Sequence, residues 1–473
     1  MGLVEGPVRL QRRGISEMQL SHTSAALSAV FDEPNLVGSA GLVPALALAE
    51  QAGLSRLADE WVTVPGSAGT AGAKVATLVG GMLAGADSID DLDVLRHGGM
   101  GHLFGGVRAP STVGVFLRSF TFGHVRQLDA VATRLLVGLV EQVPGLLAGS
   151  DGPVFLDVDD TVKAVYGAGK QGAQHGYTRI KGLNAQLATL STVQAAPVIA
   201  AARLRRGAVS SAHGAVRLVR DAIATARRVG VTGPMLVRAD SAYYQHGFVT
   251  AALRAGAQVS VGARLDSAVR RAIAGIDETA WTTIAYPQAV LDPDSGELVS
   301  VAEVAETPYL AFTSHGAKAV GGRLLVRRVP ERNRDKLATA AQQGLFTVWR
   351  YHAVFTTDSA PLVQAESTHR GHAIVEQTIA DLKAGPLAHL PSGRFAANAA
   401  WLVAATIAHT LTRAVGVLAG GRFARAETAT VRARILTVPA RIARSGRRLR
   451  LHLPRRWPWA LHWQRLWTTV MTI

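Results

Sequence analysis

The sequence of 473 residues contains no cysteine. This absence excludes disulfide bonds, thiolate metal sites and cysteine nucleophiles. Acidic residues are also scarce, because 34 Asp and Glu stand against 50 Lys and Arg, which gives a formal net charge of +16. Such an excess favours a polyanionic partner, either nucleic acid or an anionic membrane surface, although an arginine-rich proteome would give the same balance.

The first twenty residues lack the apolar core of a signal peptide. The most apolar window, residues 396–420, carries Asn398, His409 and Arg413, which favours a buried helix over a membrane span. Nearly half of the residues are hydrophobic, and the length predicts two or three domains. We therefore expect a cytoplasmic protein with no membrane association.

Residues 1–145 show apolar positions at helical spacing, which predicts an all-α N-terminal domain. A helix that starts at Pro110 follows short helices and a glycine-rich turn, and it carries Ser111, Thr112, Arg118 and Arg126. This order favours a helix-turn-helix-like DNA reader. A helical dimerisation domain fits the same pattern equally well.

Residues 146–266 alternate between strand and helix patterns. Three predicted strands, a helix and two further strands are typical of the start of an α/β RNase H-like core. Residues 267–345 predict a mostly β insertion, and residues 346–420 resume the core with a long polar helix. Residues 421–473 form a basic C-terminal region with twelve arginines, one acid and four tryptophans, which would either contact nucleic acid or pack a terminal helix.

The motif "VFLDVDDTV" places Asp157, Asp159 and Asp160 at the end of an apolar run. Side chains alternate along a strand, so Asp157 and Asp159 should lie on one face and Asp160 on the other. Asp240 closes a second apolar strand, "MLVRADS". Carboxylates at strand ends of an α/β sheet lie at the edge where ligands bind.

The helix "STHRGHAIVEQTIADLK" supplies further candidates. His369, His372, Glu376 and Lys383 share one helical face, which taken alone would be an ordinary solvated surface. Two aspartates and a glutamate are hard oxygen ligands that suit Mg²⁺ or Mn²⁺. Two such ions about 3.5–4 Å apart can activate the attacking oxygen and stabilise the leaving oxygen of a phosphoryl transfer. Lys383 and the two histidines would then balance the phosphate charge.

Together, "DVDDTV", "RADSAYY" and "HRGHAIVEQTIADLK" resemble the DDE transposases of bacterial insertion sequences, in particular the thirteen-eighty group, over nearly the whole length. The resemblance implies that Asp159, Asp240 and Glu376 are the catalytic acids and metal ligands. In the family's helix pattern, Tyr-x-x-Arg-x-x-x-Glu-x(6)-Lys, Glu376 and Lys383 match. His369 replaces the tyrosine and His372 the arginine, and Arg370 is a neighbouring substitute for DNA contact. Supporting or charge-balancing roles then fall to Asp157, Asp160 and Thr161.

The resemblance also implies a mechanism. The site would hold two ions of Mg²⁺ or Mn²⁺, which activate a water molecule. This water nicks one strand at the element end, and the resulting 3′-hydroxyl attacks the opposite strand or the target DNA. Relatives with a β insertion pass through a DNA hairpin with a flipped base, for which Trp281 or Trp349 would supply the stacking ring. The implied partners are double-stranded DNA, as terminal inverted repeats and target, and a second copy of the chain in a homodimer.

Two other functions remain open from the sequence. In a haloacid dehalogenase-type phosphatase, Asp157 would be the nucleophile and Asp159 the acid/base, but a further acidic pair is required and "VRADSAYY" supplies one aspartate. A catalytically inactive DNA-binding protein derived from a transposase would keep the fold without the metal. Net charge does not separate this from an active enzyme, because both would bind phosphate backbones.

Overall fold

The computed structural model describes residues 26–472, apart from 168, 177, 292–297 and 331–348, with the backbone alone at 286–290 and 298–301. The chain divides into a segment that ends at Pro34 and a compact unit from Asn35 onward. Every helix and strand given below lies in the second unit.

The helices of the described residues fall into three groups along the chain. Those before the sheet are α1 (Leu42–Gln51), α2 (Leu54–Trp61), α3 (Ala71–Ala84), α4 (Met100–Leu103), α5 (Pro110–Arg118) and α6 (Phe122–Gln142). Those between strands are α7 (Ala215–Arg228), α8 (His246–Arg254) and α9 (Ser267–Ala274). Those that follow are α10 (Leu362–Arg370), α11 (Ile374–Lys383), α12 (Phe395–Ala419), α13 (Thr428–Val431) and α14 (Ala460–Met471).

The described strands form two sheets. The small sheet contains β1 (Leu36–Val37), β12 (Ala440–Ser445) and β13 (Arg448–His452). The large sheet contains β2 (Val154–Ala164), β3 (Gln174–His175), β4 (Lys181–Thr192), β5 (Val198–Arg206), β6 (Met235–Ala239), β7 (Gln258–Ala263), β8 (Thr282–Leu291), β9 (Leu298–Ala311), β10 (Val320–Pro330) and β11 (Trp349–Thr356).

The first half of the large sheet has the order β5-β4-β2-β6-β7. β4 runs antiparallel to both β2 and β5, whereas β6 is parallel to β2 and β7 is parallel to β6. Three antiparallel strands followed by two parallel strands on the other side of the first are compatible with an RNase H-like core. The mixed α/β class predicted from the sequence is therefore confirmed.

The strands of the predicted insertion do not form a separate layer. β11 pairs antiparallel with β7, β10 with β11, and β9 with β10 and β8. The insertion therefore lengthens one edge of the core sheet. Its strand content agrees with the prediction, but it also contains helix α9, and residues 331–345 of the predicted segment fall within the stretch that the structure does not describe.

The predicted boundary near residue 145 does not separate two compact units, because residues 35–473 form one. The reason is α12, which packs against α3, α5 and α6 on one side and β5 on the other. Almost all of its side chains are buried, as predicted for a core helix. In the described part of the chain it is the one helix long and apolar enough to cross a membrane, and 89% of its apolar window is buried inside the protein.

The helix predicted from Pro110 is two helices, α5 and α6. Thr121 caps α6, since its side chain and that of His124 form a reciprocal capping box. Of the four proposed DNA-reading residues, Ser111, Thr112 and Arg118 are exposed. Arg126 is instead ion-paired with Asp129. The helix-turn-helix role stays a prediction, and Arg126 is not an outward contact in it.

Candidate active site

Asp157 is a buried anchor at the centre of the sheet. The pairing of β2 with β6 places it opposite Arg238. Arg238 donates from Nε to Oδ1 and from Nη2 to Oδ2, both at 2.7 Å, and neither side chain is more than 4% exposed. Nδ1 of His372 lies 3.0 Å from the same Oδ1. Asp157 thus accepts two hydrogen bonds from Arg238 and contacts the ring of His372. It therefore neutralises Arg238 and holds the His372 ring in place.

Asp160 is neutralised in the same way on the other side of the strand. It forms an ion pair with Arg205 of β5, and this pair is also buried. Arg205 additionally donates to Oδ1 of Asn184 at 2.6 Å. Arg205 also donates hydrogen bonds to the carbonyls of Ser210, Ser211 and His213, which stabilise the loop before α7. Asp157 and Asp160 thus contact different elements, as the alternation of side chains predicts.

Asp159 and Asp240 have no such partner. Within the residues that the structure describes, neither carboxylate is ion-paired with a lysine or arginine. Asp159 accepts a hydrogen bond from the Asp160 backbone N–H at 2.7 Å, and Asp240, directly after β6, accepts one from the Ala242 N–H at 3.0 Å. Both donors are backbone N–H groups, which carry no net charge, so in the described part of the chain no lysine or arginine balances the two carboxylates.

The electrostatics of these two acids reflect their proximity. Burial raises the pKa of Asp159 to about 6, and the charges of Asp240 and Asp160 add to the rise, although the Asp160 N–H and His372 oppose it. Burial also raises the pKa of Asp240, with Asp160 adding to it and the Ala242 N–H and His372 opposing. Asp159 and Asp240 each follow the last paired residues of β2 and β6, Val158 and Ala239. Two partly desolvated carboxylates so placed repel each other and would be stabilised by a cation.

The predicted continuous helix after β11 is broken. A short 3₁₀ turn, Gly371–Ala373, separates α10 from α11. His369, in α10, therefore turns inward and lies with Nδ1 2.9 Å from Oγ of Ser260. Burial lowers the pKa of His369 to about 3, so its imidazole is neutral at pH 7. The expectation that His369 balances phosphate charge is not supported by this position.

Glu376 and Lys383 lie on α11, which packs along β2. His372, just before α11, contacts Asp157, whereas Nζ of Lys383 lies 3.3 Å from Oγ1 of Thr161. The helix therefore runs in the same direction as the strand, and Glu376 lies between these two contacts, at the level of Asp159. Its side chain is exposed and makes no hydrogen bond or ion pair within the described part of the chain.

The structure thus brings Asp159 and Asp240 together and places the Glu376 helix beside them, without joining all three side chains. In the described residues no three His, Asp or Glu side chains converge closely enough to hold a metal ion. The donor chemistry nevertheless fits Mg²⁺ or Mn²⁺, because two uncompensated carboxylates are available and an exposed Glu376 is free to turn towards them. Asp159, Asp240 and Glu376 are the residues that would hold the metal.

A cleft of about 570 Å³ opens beside Asp240. Several cationic side chains and one aromatic side chain line it: Arg264, Arg327, Arg370 and Tyr351. Arg370 also donates from Nε to Glu366 at 2.9 Å. Glu366 lines the cleft too and is ion-paired with Arg327 and Arg370, so the arginines outnumber the acids only slightly, and they could contact a phosphate-bearing ligand. Arg264 follows β7, Arg327 lies on β10 and Tyr351 lies on β11, and these strands become neighbours only in the folded sheet. The sequence therefore did not indicate that the three residues share a cleft.

Trp281 and Trp349 do not offer two open ring faces for a flipped base. The guanidinium of Arg328 lies between them, 4.1 Å from the Trp281 ring centroid and 4.4 Å from that of Trp349. Arg328 in turn is ion-paired with Glu278 and Glu303. The rings therefore cover a buried arginine with one face each, and a base-stacking role for either stays a prediction.

A mixed sheet with two aspartates on neighbouring strands, beside a helix that carries a glutamate and a lysine, is typical of enzymes that transfer phosphoryl groups of DNA. The family model described as "Transposase DDE domain group 1" matches residues 21–472. The chain therefore belongs to the DDE transposase family. No curated protein matches the sequence at a significant level.

Proposed function

We propose that this transposase catalyses metal-dependent cleavage and strand transfer of an insertion sequence by cut-and-paste, as a member of the thirteen-eighty group. One observation carries the proposal. Of the three aspartates of β2, Asp159 alone lacks an arginine partner in the described structure, and it follows the last register pair of β2 with β6, as does Asp240, which lacks one too.

Asp159, Asp240 and Glu376 would hold two Mg²⁺ or Mn²⁺ ions, whose chemistry is to activate the attacking oxygen and stabilise the leaving oxygen of an in-line displacement. Arg238 and Asp157 fix the His372 ring beside the two aspartates. The contact between Lys383 and Thr161 holds α11 along β2, so that Glu376 stays level with Asp159.

The substrate would be double-stranded DNA, as the terminal inverted repeats of the element and as target. Arg264 and Arg370 line the cleft beside Asp240 and would bind phosphates next to the scissile bond. Bringing two element ends together would require a homodimer. The site of action would be the nucleoid in the bacterial cytoplasm.

The phosphatase alternative loses support from the burial of its nucleophile. Asp157 is 0% exposed, and both of its oxygens accept hydrogen bonds from Arg238. A small phosphate ester would have to displace this buried ion pair before attack. The inactive DNA-binding alternative is kept as an outcome of the experiment below, since histidines occupy positions 369 and 372.

The test is cleavage of a labelled duplex that carries the DNA flanking each end of the element, with Mg²⁺ or Mn²⁺. The variants are Asp159→Asn, Asp240→Asn and Glu376→Gln, and Asp151→Asn, an exposed acid just before β2, is the matched control. We expect end-specific nicking in wild type and control, and a loss of at least about a thousandfold in each of the three variants.

A parallel assay measures hydrolysis of a small phosphate ester, where no activity is expected. DNA binding without cleavage by the wild type would support the inactive alternative. Ester hydrolysis that disappears in Asp157→Asn would support the phosphatase and contradict the proposal.

A further inference from the structure

The C-terminal region contains an arginine-rich β-hairpin, formed by β12 and β13 around a turn at Gly446 and Arg447. The register places Ala443 opposite Arg450 and Ser445 opposite Arg448. Residues opposite each other in an antiparallel pair share a face, and faces alternate along each strand. Arg448, Arg450 and His452 therefore lie on one face, opposite the face on which Ile442 is buried against the body.

Most of the arginines of this hairpin have no partner among the residues that the structure describes. Four of its arginines are exposed and have no hydrogen bond or ion pair to any described residue, and two more follow at its base: Arg444, Arg447, Arg448, Arg450, Arg455 and Arg456. No acidic residue follows Glu427 in the sequence. This sets the hairpin apart from Arg205, Arg238 and Arg328, which are buried in ion pairs.

The tryptophans of the same region are engaged in packing. Trp463 is 5% exposed and stacks on Trp467 with ring centroids 5.1 Å apart, on a helix that contacts α1 and α12. Nε1 of Trp457 donates to the Arg434 carbonyl at 3.1 Å. The tryptophans thus pack α14 against the rest of the protein. The exposed arginines of the hairpin remain available to bind a partner.

We propose that the arginine hairpin, residues 440–456, is a binding surface for the sugar–phosphate backbone of DNA. This inference takes its partner, DNA, from the proposed function. It adds the surface that binds the DNA, which the proposed function does not specify. Guanidinium groups match phosphate geometry, and alternate residues of a strand stand about 7 Å apart, close to the separation of neighbouring phosphates on one DNA strand. No Phe, Tyr or Trp lies between residues 440 and 456, so the surface has no large ring on which a base would stack, and its guanidinium groups are left for the phosphates.

The test is the affinity for a 30-base-pair duplex of arbitrary sequence, measured by fluorescence anisotropy in EDTA over a series of NaCl concentrations. The variant is the triple Arg447→Ala, Arg448→Ala, Arg450→Ala. The matched control is Arg220→Ala, Arg228→Ala, Arg254→Ala, which removes the same charge from exposed, unpaired positions of α7 and α8. A third protein carries Arg447→Lys, Arg448→Lys and Arg450→Lys. Circular dichroism and thermal unfolding establish that all are folded.

We expect the hairpin variant to bind at least about tenfold more weakly at 0.1 M salt, and the slope of log K against log [NaCl] to become shallower by up to about 3. The control should change both quantities much less, and the lysine protein should keep the slope. Equal losses in hairpin variant and control would overturn the hairpin assignment and leave the proposed function standing. Absence of DNA binding by the wild type would overturn both.

Discussion

Two regions of the large sheet treat the same chemical group in opposite ways. In the interior, Asp157 is neutralised by Arg238 and Asp160 by Arg205. Where the pairing of β2 with β6 ends, Asp159 and Asp240 have no arginine partner among the described residues, although Asp159 is only two residues from Asp157. The carboxylates that stabilise the fold are each paired with an arginine of the protein, whereas carboxylates without such a partner are available to bind a cation from solution.

The largest effect should come from breaking the interior pair. Asp157→Asn leaves Arg238 charged and buried, so we expect the free energy of unfolding to fall by about 3–5 kcal/mol. Urea denaturation measures it, with the exposed Asp151→Asn as control, for which we expect a change within about 0.5 kcal/mol. A loss below about 1 kcal/mol for Asp157→Asn would show that the pair does not hold the sheet together.

Removing the charge of Asp159 should change the free energy of unfolding in the opposite direction. The pKa of Asp159 is raised to about 6 in the folded chain, mainly by burial, above the ordinary value of an unfolded aspartate. The folded state therefore binds this proton more tightly than the unfolded state. The resulting penalty is absent well below about pH 4, grows as the pH rises and is complete above about pH 6.

Asp159→Asn should accordingly raise the free energy of unfolding in EDTA by about 1–3 kcal/mol at pH 8, and by no more than about 0.5 kcal/mol at pH 4, where most of the penalty has disappeared. Urea denaturation at both pH values measures the difference. A destabilisation at pH 8, as expected for Asp157→Asn, would mean that Asp159 too has a partner that stabilises its charge, and the contrast between the two regions would fail.

Much of the sheet was accessible from the sequence. The apolar runs before Asp159 and Asp240 predicted β2 and β6, and the order of strand and helix patterns agrees with β2, β4, β5, α7, β6, α8 and β7, whereas the short β3 was not predicted. These features are local, because strand periodicity and turn residues act over a few positions. The predicted burial of α12 also follows from its own composition.

The partners of the acids were not accessible. Arg238 lies 81 residues from Asp157 and meets it only through the parallel register of β2 and β6. The inward turn of His369 depends on the 3₁₀ segment at Gly371, which helical spacing does not reveal. For the same reason the arginines of the C-terminal region could not be separated from its tryptophans until the hairpin and α14 were seen as distinct elements.

The most direct test of the contrast is stabilisation by a divalent cation. A ligand that binds only the folded state raises its stability by mass action. Thermal unfolding of the wild type, Asp159→Asn, Asp240→Asn and Asp151→Asn is followed in EDTA and in millimolar Mn²⁺. The account predicts that Mn²⁺ raises the Tm of the wild type and of Asp151→Asn, and that it does so in neither Asp159→Asn nor Asp240→Asn. An equal rise in all four proteins, or none in the wild type, would contradict it.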